Sequence, residues 1–291
     1  MHETTIRPKR GIPPEIWVFL SSVLFSLGGL LFKIISWDAL AISSARSILA
    51  GGAILIILLI RKHRFVLNRD VVLAALSISA TNTLYAMANK MTTAGNTIVL
   101  QFTMPVFVIL IMALFFGKKP GKSECIVCLL VMAGILCFFV DSLEAGNLTG
   151  NLLALLSGIT YACFFIFNSR EDSEPFTAIV LSYAITALVG LPSLIRTDIS
   201  ATPAGEIVAV LALGLIQQGM AQICFATGIR DTGAVTAGLI SGLEPILNPV
   251  LVALFWHETL TPLSCIGAAI VVVSVVVYNL RKNREKEKGS A

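Results

Sequence analysis

Residues 232–260 read TGAVTAGLISGLEPILNPVLVALFWHETL, an apolar stretch long enough to cross a bilayer, with a glutamate and two prolines inside it. About 20 apolar residues span the hydrocarbon core as one helix. A carboxylate at that depth costs about 2.5–3.5 kcal/mol, so Glu244 must face a partner, a cavity or a substrate. Pro245 lacks a backbone donor and clashes with the preceding turn, so it kinks or loosens the helix. Because freed carbonyls need protein or water to satisfy them, the stretch predicts a wall of an intramembrane cavity.

Composition places the whole chain in the membrane. Of its 291 residues, 56% are hydrophobic and 13% are charged, whereas soluble proteins average about 45–50% apolar and about 25% charged residues. The first 14 residues are polar and basic, so we expect no signal peptide. The net charge of +4 comes from basic residues that lie between apolar runs. It therefore indicates membrane topology and no nucleic-acid partner.

The cysteines predict packing and no cofactor. All six lie in apolar runs, and Cys125 and Cys128 have CxxC spacing without a second pair or neighbouring histidines. We interpret them as small residues buried in lipid or at helix contacts, and we expect no metal site and no catalytic residue.

Ten apolar runs separated by short polar connections predict an all-α integral membrane protein with ten transmembrane helices. The runs are Glu15–Ile35, Ala39–Ile60, Asp70–Asn89, Gly95–Phe116, Glu124–Val140, Asn151–Asn168, Phe176–Leu194, Glu206–Gly228, Thr232–Trp256 and Pro262–Leu280.

Basic residues predict the orientation. With the N-terminus inside, 17 of the 21 lysines and arginines lie on the cytoplasmic side, three lie outside, and Arg46 lies within a helix. The positive-inside rule therefore predicts a multi-pass protein of the cell membrane, with cytoplasmic tails at residues 1–14 and 281–291.

An internal repeat divides the chain into residues 15–141 and 147–280. A shift of 140 residues lays Met104-Pro105 on Glu244-Pro245 and Asn82 on Gln222. Five spans is an odd number, so the two five-helix repeats have inverted topology. Such repeats place a substrate site near the midplane, where interrupted helices point to it.

A series of motifs recurs in order along both halves. They are Lys33, SARSILA (44–50), AMANKMTTAG (86–95), the proline-bearing fourth run, ATGIRDTGA (226–234), Leu243-Glu244-Pro245, Trp256-His257-Glu258 and Gly267. Together they resemble the drug/metabolite transporter superfamily, in its ten-helix form of two EamA domains, over about residues 15–280. The resemblance implies alternating-access transport, with export of amino acids or related metabolites.

Two buried charges are the first candidates for the site. Arg46 either caps structural acceptors or binds a substrate carboxylate or phosphate. Glu244 either pairs permanently with Arg46, binds a substrate amine, or takes up a coupled proton. The sequence leaves these alternatives open.

Uncharged polar side chains on the same runs predict a lining around this pair. Each alone is explained by helix–helix hydrogen bonding, but together they fit a small-molecule site. The predicted substrate-binding set is Arg46, Asn82, Tyr85, Asn89, Gln101, Tyr161, Gln218, Gln222 and Glu244, with Pro105, Pro245 and Pro249 as hinges.

The function we expect is secondary transport of a small polar organic metabolite, with membrane lipids around the protein and a coupled proton or counter-substrate. No GxxxxGK[ST] loop is present to bind ATP. The alternatives are an importer or a drug or nucleotide-type exporter of the same fold and, more remotely, an integral-membrane lipid-modifying enzyme. A monomer or a homodimer is compatible with the duplication.

Overall fold

A computed structural model describes residues 12–28, 31, 35–92, 94–140, 148–247, 250 and 261–289. All regular secondary structure in these ranges is helical. Six helices are long and apolar enough to cross a membrane, and residues 14–26, 234–247 and 265–278 form shorter apolar helices. The all-helical membrane fold expected from the sequence is therefore present.

The helices follow the predicted runs, with the fourth, eighth and ninth runs interrupted. They are α1 Pro14–Ser26, α2 Ala39–Ile60, α3 Arg69–Met91, α4 Ala94–Gln101, α5 Met104–Phe116, α6 Lys122–Phe139, α7 Leu148–Asn168, α8 Pro175–Arg196, α9 Ala204–Ala212, a π-helix Leu213–Met220, α10 Ala221–Thr232, α11 Ala234–Ser241 and α12 Pro262–Gly289.

Side-chain caps explain where several helices begin. Asn68 Oδ1 accepts from the N–H of Val71 at 2.9 Å, and Asp38 Oδ2 accepts from the N–H of Leu40 at 3.1 Å. Each side chain satisfies one of the amides that a helix start leaves without a partner. These caps fix where α3 and α2 enter the bundle.

The main helix pairs join one half of the chain to the other. α3 packs on α7, α2 on α8, α6 on α12, and α1 on α10. When each helix is replaced by its counterpart in the other half, the α3–α7 pair becomes the α1–α10 pair. The α2–α8 and α6–α12 pairs each map onto themselves. The packing therefore has the symmetry that a duplicated five-helix unit produces.

Small residues let these helices approach closely. A Cβ built on Gly134 of α6 would lie 2.6 Å from Val271 Cγ2 of α12. Between α2 and α8, the Ser44 hydroxyl donates to the carbonyl of Ala187 at 2.8 Å. Such contacts supply the packing and hydrogen bonding that associate helices in lipid.

One end of the helix array is formed by loops 61–68, 117–121 and 169–174. We call it the basic face because it carries the basic residues Arg61, Lys62, Arg64, Lys118 and Lys119. Two of its loops are tied together by Asn68 Nδ2, which donates to the carbonyl of Asp172 at 2.6 Å. At the other end, which we call the opposite face, Trp37 Nε1 donates to Thr202 Oγ1 at 2.9 Å. Hydrogen bonds between the two halves are therefore present at both ends.

Candidate functional site

Two helix breaks with the same spacing frame the candidate site. The first separates α4 from α5 at residues 102–103, and the second follows α11 at residues 242–243. Pro105 and Pro245 each stand two residues beyond the break, 140 residues apart. Proline suits the first turn of a helix, where no intrahelical donor is needed. Pro249, the third predicted hinge, lies outside the described residues.

Local hydrogen bonds satisfy the first break. The Thr103 hydroxyl donates to the carbonyl of Leu100 at 2.6 Å, and the Thr103 N–H reaches the same oxygen at 3.3 Å. The Thr103 hydroxyl thus supplies the Leu100 carbonyl with a donor where the regular helical hydrogen bonds are interrupted. Irregular backbone at membrane depth is tolerated where protein encloses it in this way.

Helix α7 lies directly against this break. A Cβ on Gly158 would stand 2.8 Å from the carbonyl oxygen of Gln101 and 3.0 Å from that of Leu100. Any side chain at this position would push α7 away from the interrupted backbone. Glycine there brings Tyr161, one turn further along α7, next to the break.

The structure brings the two predicted charges into one electrostatic network. Arg46 of α2 lies within electrostatic range of Tyr183 of α8, of Tyr85 of α3 and, more weakly, of Glu244 beside the second break. Glu244 also interacts with Tyr161 of α7. Arg46 and Glu244 are each half-buried, so protein does not cover them completely. The network therefore combines one charge from each half of the chain with three phenol groups.

Two buried acceptor atoms of the site have no hydrogen-bond partner among the residues that the structure describes. They are Glu244 Oε2 and Gln222 Oε1. An unsatisfied buried acceptor costs about 1–3 kcal/mol, and more for a charged group. Native structures keep few such atoms, and a ligand or water that completes the site is one explanation.

Tyr183 is the member of this network that was not predicted from the sequence. Its hydroxyl donates to the backbone carbonyl of Gln218 at 3.3 Å, within the π-helix Leu213–Met220. π-helical turns recur at functional sites because they displace the helical ladder locally. The available signal was that Tyr183 is one of only four tyrosines and lies inside an apolar run.

Aromatic rings form one wall beside Tyr161. The Tyr161 ring meets Phe102 edge-on at 6.3 Å and Phe165 edge-on at 5.1 Å. Phe164 stacks on Phe225 with centroids 5.1 Å apart. Phe164 and Phe165 are almost fully buried, whereas Tyr161 is half-buried. The phenylalanines therefore fix the wall, and Tyr161 presents its accessible face.

For the other predicted lining residues, the structure gives the helix position and, where the side chain is described, its burial. Asn82 is half-buried on α3, one turn before Tyr85, and Gln101 is buried at the end of α4. The side chain of Asn89 lies outside the described part of the structure. Gln217, next to Gln218, donates instead to the carbonyl of Phe25 in α1 at 3.1 Å, so it serves a helix contact.

Metal ligands do not gather in the described part of the chain. No group of three His, Cys, Asp or Glu side chains is close enough to hold an ion there. The six cysteines are free thiols. Among the residues that the structure describes, the chemistry of the site therefore consists of an arginine, a carboxylate, amides and phenols.

Comparisons with known proteins match this chain to transporters. A model of the EamA-like transporter family matches residues 12–140 and again residues 148–280. The "Uncharacterized transporter YwfM" of Bacillus subtilis (strain 168) is 27% identical over 261 residues, covering 87% of this chain and 88% of that protein. "Threonine/homoserine exporter RhtA" of Escherichia coli (strain K12) is 26% identical over 220 residues, covering 72% of this chain and 71% of that protein. A crystal structure with 17% identity superposes with a TM-score of 0.81, covering 92% of this chain and 98% of that chain, which is a likeness of fold alone.

Proposed function

Because the chain belongs to the EamA-like transporter family, we propose that it is a secondary transporter that exports small polar organic metabolites, amino acids or related compounds, by alternating access. The observation that carries this proposal is the placement of Arg46 and Glu244, one from each half of the chain, both half-buried and near enough to interact electrostatically beside matched helix breaks. A molecule with both a carboxylate and an amine complements such a pair.

The relatives support transport and, less closely, the substrate class. YwfM and RhtA are both named as transport proteins, and RhtA is named for two amino acids. These names favour transport over the alternative of a lipid-modifying membrane enzyme. At 26% identity, RhtA supports an amino-acid-like substrate only as a starting panel for measurement.

Matched breaks support a mechanism that uses both halves. We assign the breaks at residues 102–103 and 242–243 as the hinges, with Pro105, Pro245 and Pro249 beside them. The ten-span arrangement then consists of two inverted repeats, residues 15–141 and 147–280, with both termini in the cytoplasm of a cell-membrane protein. Rocking of one half against the other would expose the site alternately to the two sides.

Glu244 is the group in this mechanism that couples substrate to a proton or a counter-substrate. Its Oε2 atom is buried without a hydrogen bond to any residue that the structure describes, so a proton or a substrate amine would satisfy this oxygen. Asn82, Gln101 and Gln222, together with the Tyr85 and Tyr161 hydroxyls, would bind the remaining polar groups of the substrate, and Asn89 extends the same face of α3.

The test is flux of amino acids and related metabolites in proteoliposomes. We expect Arg46→Ala and Glu244→Gln each to lower flux about ten- to a hundred-fold, the loss expected for a hydrogen bond to a charged group. Arg196→Ala and Glu171→Gln are matched controls at exposed positions and should transport normally.

Other results for the Arg46 and Glu244 variants would contradict the proposed site. Normal flux in both site variants would make the pair structural and move the site toward Asn82 and Gln222. Loss of flux together with a lowered melting temperature would also make the pair structural. If the wild-type protein moves none of the compounds in either direction, the proposed substrate class is wrong.

A further inference from the structure

A cavity lies at the basic face, away from the Arg46–Glu244 network. It has a volume of about 870 Å³ between the start of α3, the end of α5 and the end of α7. This volume is within the range of about 300–1,000 Å³ that is typical of sites for small molecules. None of the residues of the Arg46–Glu244 network lines it, so the proposed transport site does not account for it.

One ion pair forms a neutral wall of this cavity. Arg170 Nε lies 2.7 Å from Asp70 Oδ2, and the Arg170 guanidinium stands over the Phe116 ring at 5.2 Å from its centroid. The pair is held in place by a neighbouring contact between the loops, the bond from Asn68 Nδ2 to the carbonyl of Asp172. These contacts give the cavity a preformed shape.

Two opposite charges remain on the lining. Arg69 and Asp172 both line the cavity and are both exposed. Neither takes part in an ion pair with any residue that the structure describes. The cavity therefore offers one cation and one carboxylate to a ligand, which complements a molecule with one negative and one positive group.

The remaining wall is apolar and continues onto the membrane surface of α5. Ile111, Phe115 and Phe116 of α5 line the cavity. The Phe115 side chain is 78% exposed and that of its neighbour Leu114 is 77% exposed. In a helix that is apolar enough to cross a membrane, such side chains at its end face lipid. A ligand in this cavity can therefore place an apolar chain along α5.

We propose that this cavity binds a phospholipid with a zwitterionic phosphoethanolamine headgroup, taken from the leaflet at the basic face. Its phosphate binds Arg69, its ammonium donates to Asp172, and an acyl chain lies over Phe115 and Leu114. A purely anionic headgroup would leave Asp172 without a partner beside a second negative charge. A choline headgroup fits less well because its quaternary ammonium has no N–H to donate.

Lipid retention by the purified full-length protein tests this assignment. The protein would be exchanged into mixed micelles that contain dioleoyl phosphatidylethanolamine, phosphatidylglycerol or phosphatidylcholine, and bound lipid counted by native mass spectrometry, with melting temperature as the second readout. We expect phosphatidylethanolamine to be retained about five-fold or more over the other two, the factor expected for one charge-assisted contact, and to raise the melting temperature.

Two variants test the phosphate contact and the ammonium contact of the headgroup separately. Arg69→Ala should lower retention of all three phospholipids, and Asp172→Asn should abolish only the preference for phosphatidylethanolamine. Arg196→Ala and Asp198→Asn, at exposed positions of the opposite face, should retain the wild-type preference. Water-soluble phosphoethanolamine should not raise the melting temperature, because it lacks the acyl chain.

Equal retention of the three lipids by the wild-type protein would overturn the proposal. So would a preference for phosphatidylethanolamine that survives both variants, or a preference for phosphatidylglycerol. An equal stabilisation by soluble phosphoethanolamine would replace the lipid with a free metabolite and would overturn it too. These readouts do not involve flux, so their failure leaves the proposed transport function intact.

Discussion

Among single residues, Glu174 shows how local hydrogen bonds set both a helix start and a pKa. Its carboxylate accepts from the N–H groups of Phe176 at 3.3 Å and Thr177 at 2.6 Å. His63 Nε2 lies 3.1 Å from Glu174 Oε2, although its direction departs from that of a hydrogen bond. Burial alone would raise the pKa of Glu174, but Thr177 and the neighbouring His63 stabilise the charged form more strongly and lower it.

The sign of this shift gives a pH prediction. A carboxyl whose pKa is lowered on folding contributes stability above its ordinary pKa of 4.5, and this contribution disappears as the pH falls through the folded value. We therefore expect Glu174→Gln to lower the free energy of unfolding by about 0.5–2 kcal/mol at neutral pH, as other lost caps do. The difference from wild type should vanish in acid.

Thermal unfolding of the purified protein between neutral and strongly acidic pH measures this difference. Glu171→Gln is the matched control, because this exposed side chain does not cap α8. A difference between Glu174→Gln and wild type that stays constant across the whole pH range would contradict the assignment.

Tyr183 supports a prediction about the site itself. Its hydroxyl interacts with Arg46 and donates to the carbonyl of Gln218 at 3.3 Å. We expect Tyr183→Phe to reduce flux about five-fold, the effect of one hydrogen bond of about 1 kcal/mol. Tyr278→Phe removes a hydroxyl that bonds Glu124 Oε1 at 3.2 Å and should leave flux unchanged. Equal flux in both variants would remove Tyr183 from the site.

For single residues, the sequence identifies charged members of the candidate site more readily than uncharged ones. Arg46 and Glu244 stood out because an ionised side chain in an apolar run is individually costly. Tyr183 did not, since an amphipathic ring is tolerated at many depths. Gln217 forms a helix contact because α1 presents the carbonyl of Phe25 to its side chain. That contact is tertiary and cannot be read from a single sequence.

Among the structural elements, the contact between α7 and the first break depends on Gly158. A methyl group there would stand 2.8 Å from the Gln101 carbonyl oxygen, which belongs to backbone and cannot rotate away. We expect Gly158→Ala to lower the free energy of unfolding by about 1–3 kcal/mol, as overpacking generally does. Melting temperatures of the purified variants check this expectation.

Gly52 provides the matched control for this substitution. It also lies within a helix, α2, but a Cβ there meets no atom within 4 Å. Alanine is the better helix former, so Gly52→Ala should leave stability unchanged or raise it by up to about 1 kcal/mol. If both variants melted at the wild-type temperature, the close approach of α7 to the break would be refuted.

The sequence predicted the helix breaks better than the π-helix. Proline clashes with the carbonyl four residues earlier, so Pro105 and Pro245 each required an interruption nearby. The breaks lie at residues 102–103 and 242–243. Their exact positions depend on turns that the prolines do not specify. The π-helix Leu213–Met220 contains no proline. It lies where Gly214 packs on Leu49 of α2, and such packing overrides the regular helical pattern.

In the whole molecule, the packing of the helices follows the duplication. The repeat was visible in the sequence because Met104-Pro105 and Glu244-Pro245 align at a shift of 140 residues. The helix partners were not visible, because α2 meets α8 and α6 meets α12 across more than 100 residues of chain. An apolar helix surface shows that a neighbour exists without showing which one.

The orientation of the molecule remains a prediction, and two exposed loops can test it together with the number of spans. Lys118 follows α5 at the basic face, and Ile199 follows α8 at the opposite face. Both residues are exposed. Three predicted spans lie between them, and an odd number places them on different sides of the membrane. The excess of basic residues places Lys118 inside.

Single cysteines introduced into a cysteine-free variant measure both properties. A membrane-impermeant maleimide should label Ile199→Cys in intact cells and Lys118→Cys only after the cells are permeabilised. Labelling of both in intact cells would place them on one side, which requires an even number of spans and contradicts the ten-helix arrangement. The reverse pattern would keep three spans between the two sites but place the basic face outside. In that case the phospholipid cavity would open to the outer leaflet, and the excess of basic residues would need a cause other than topology.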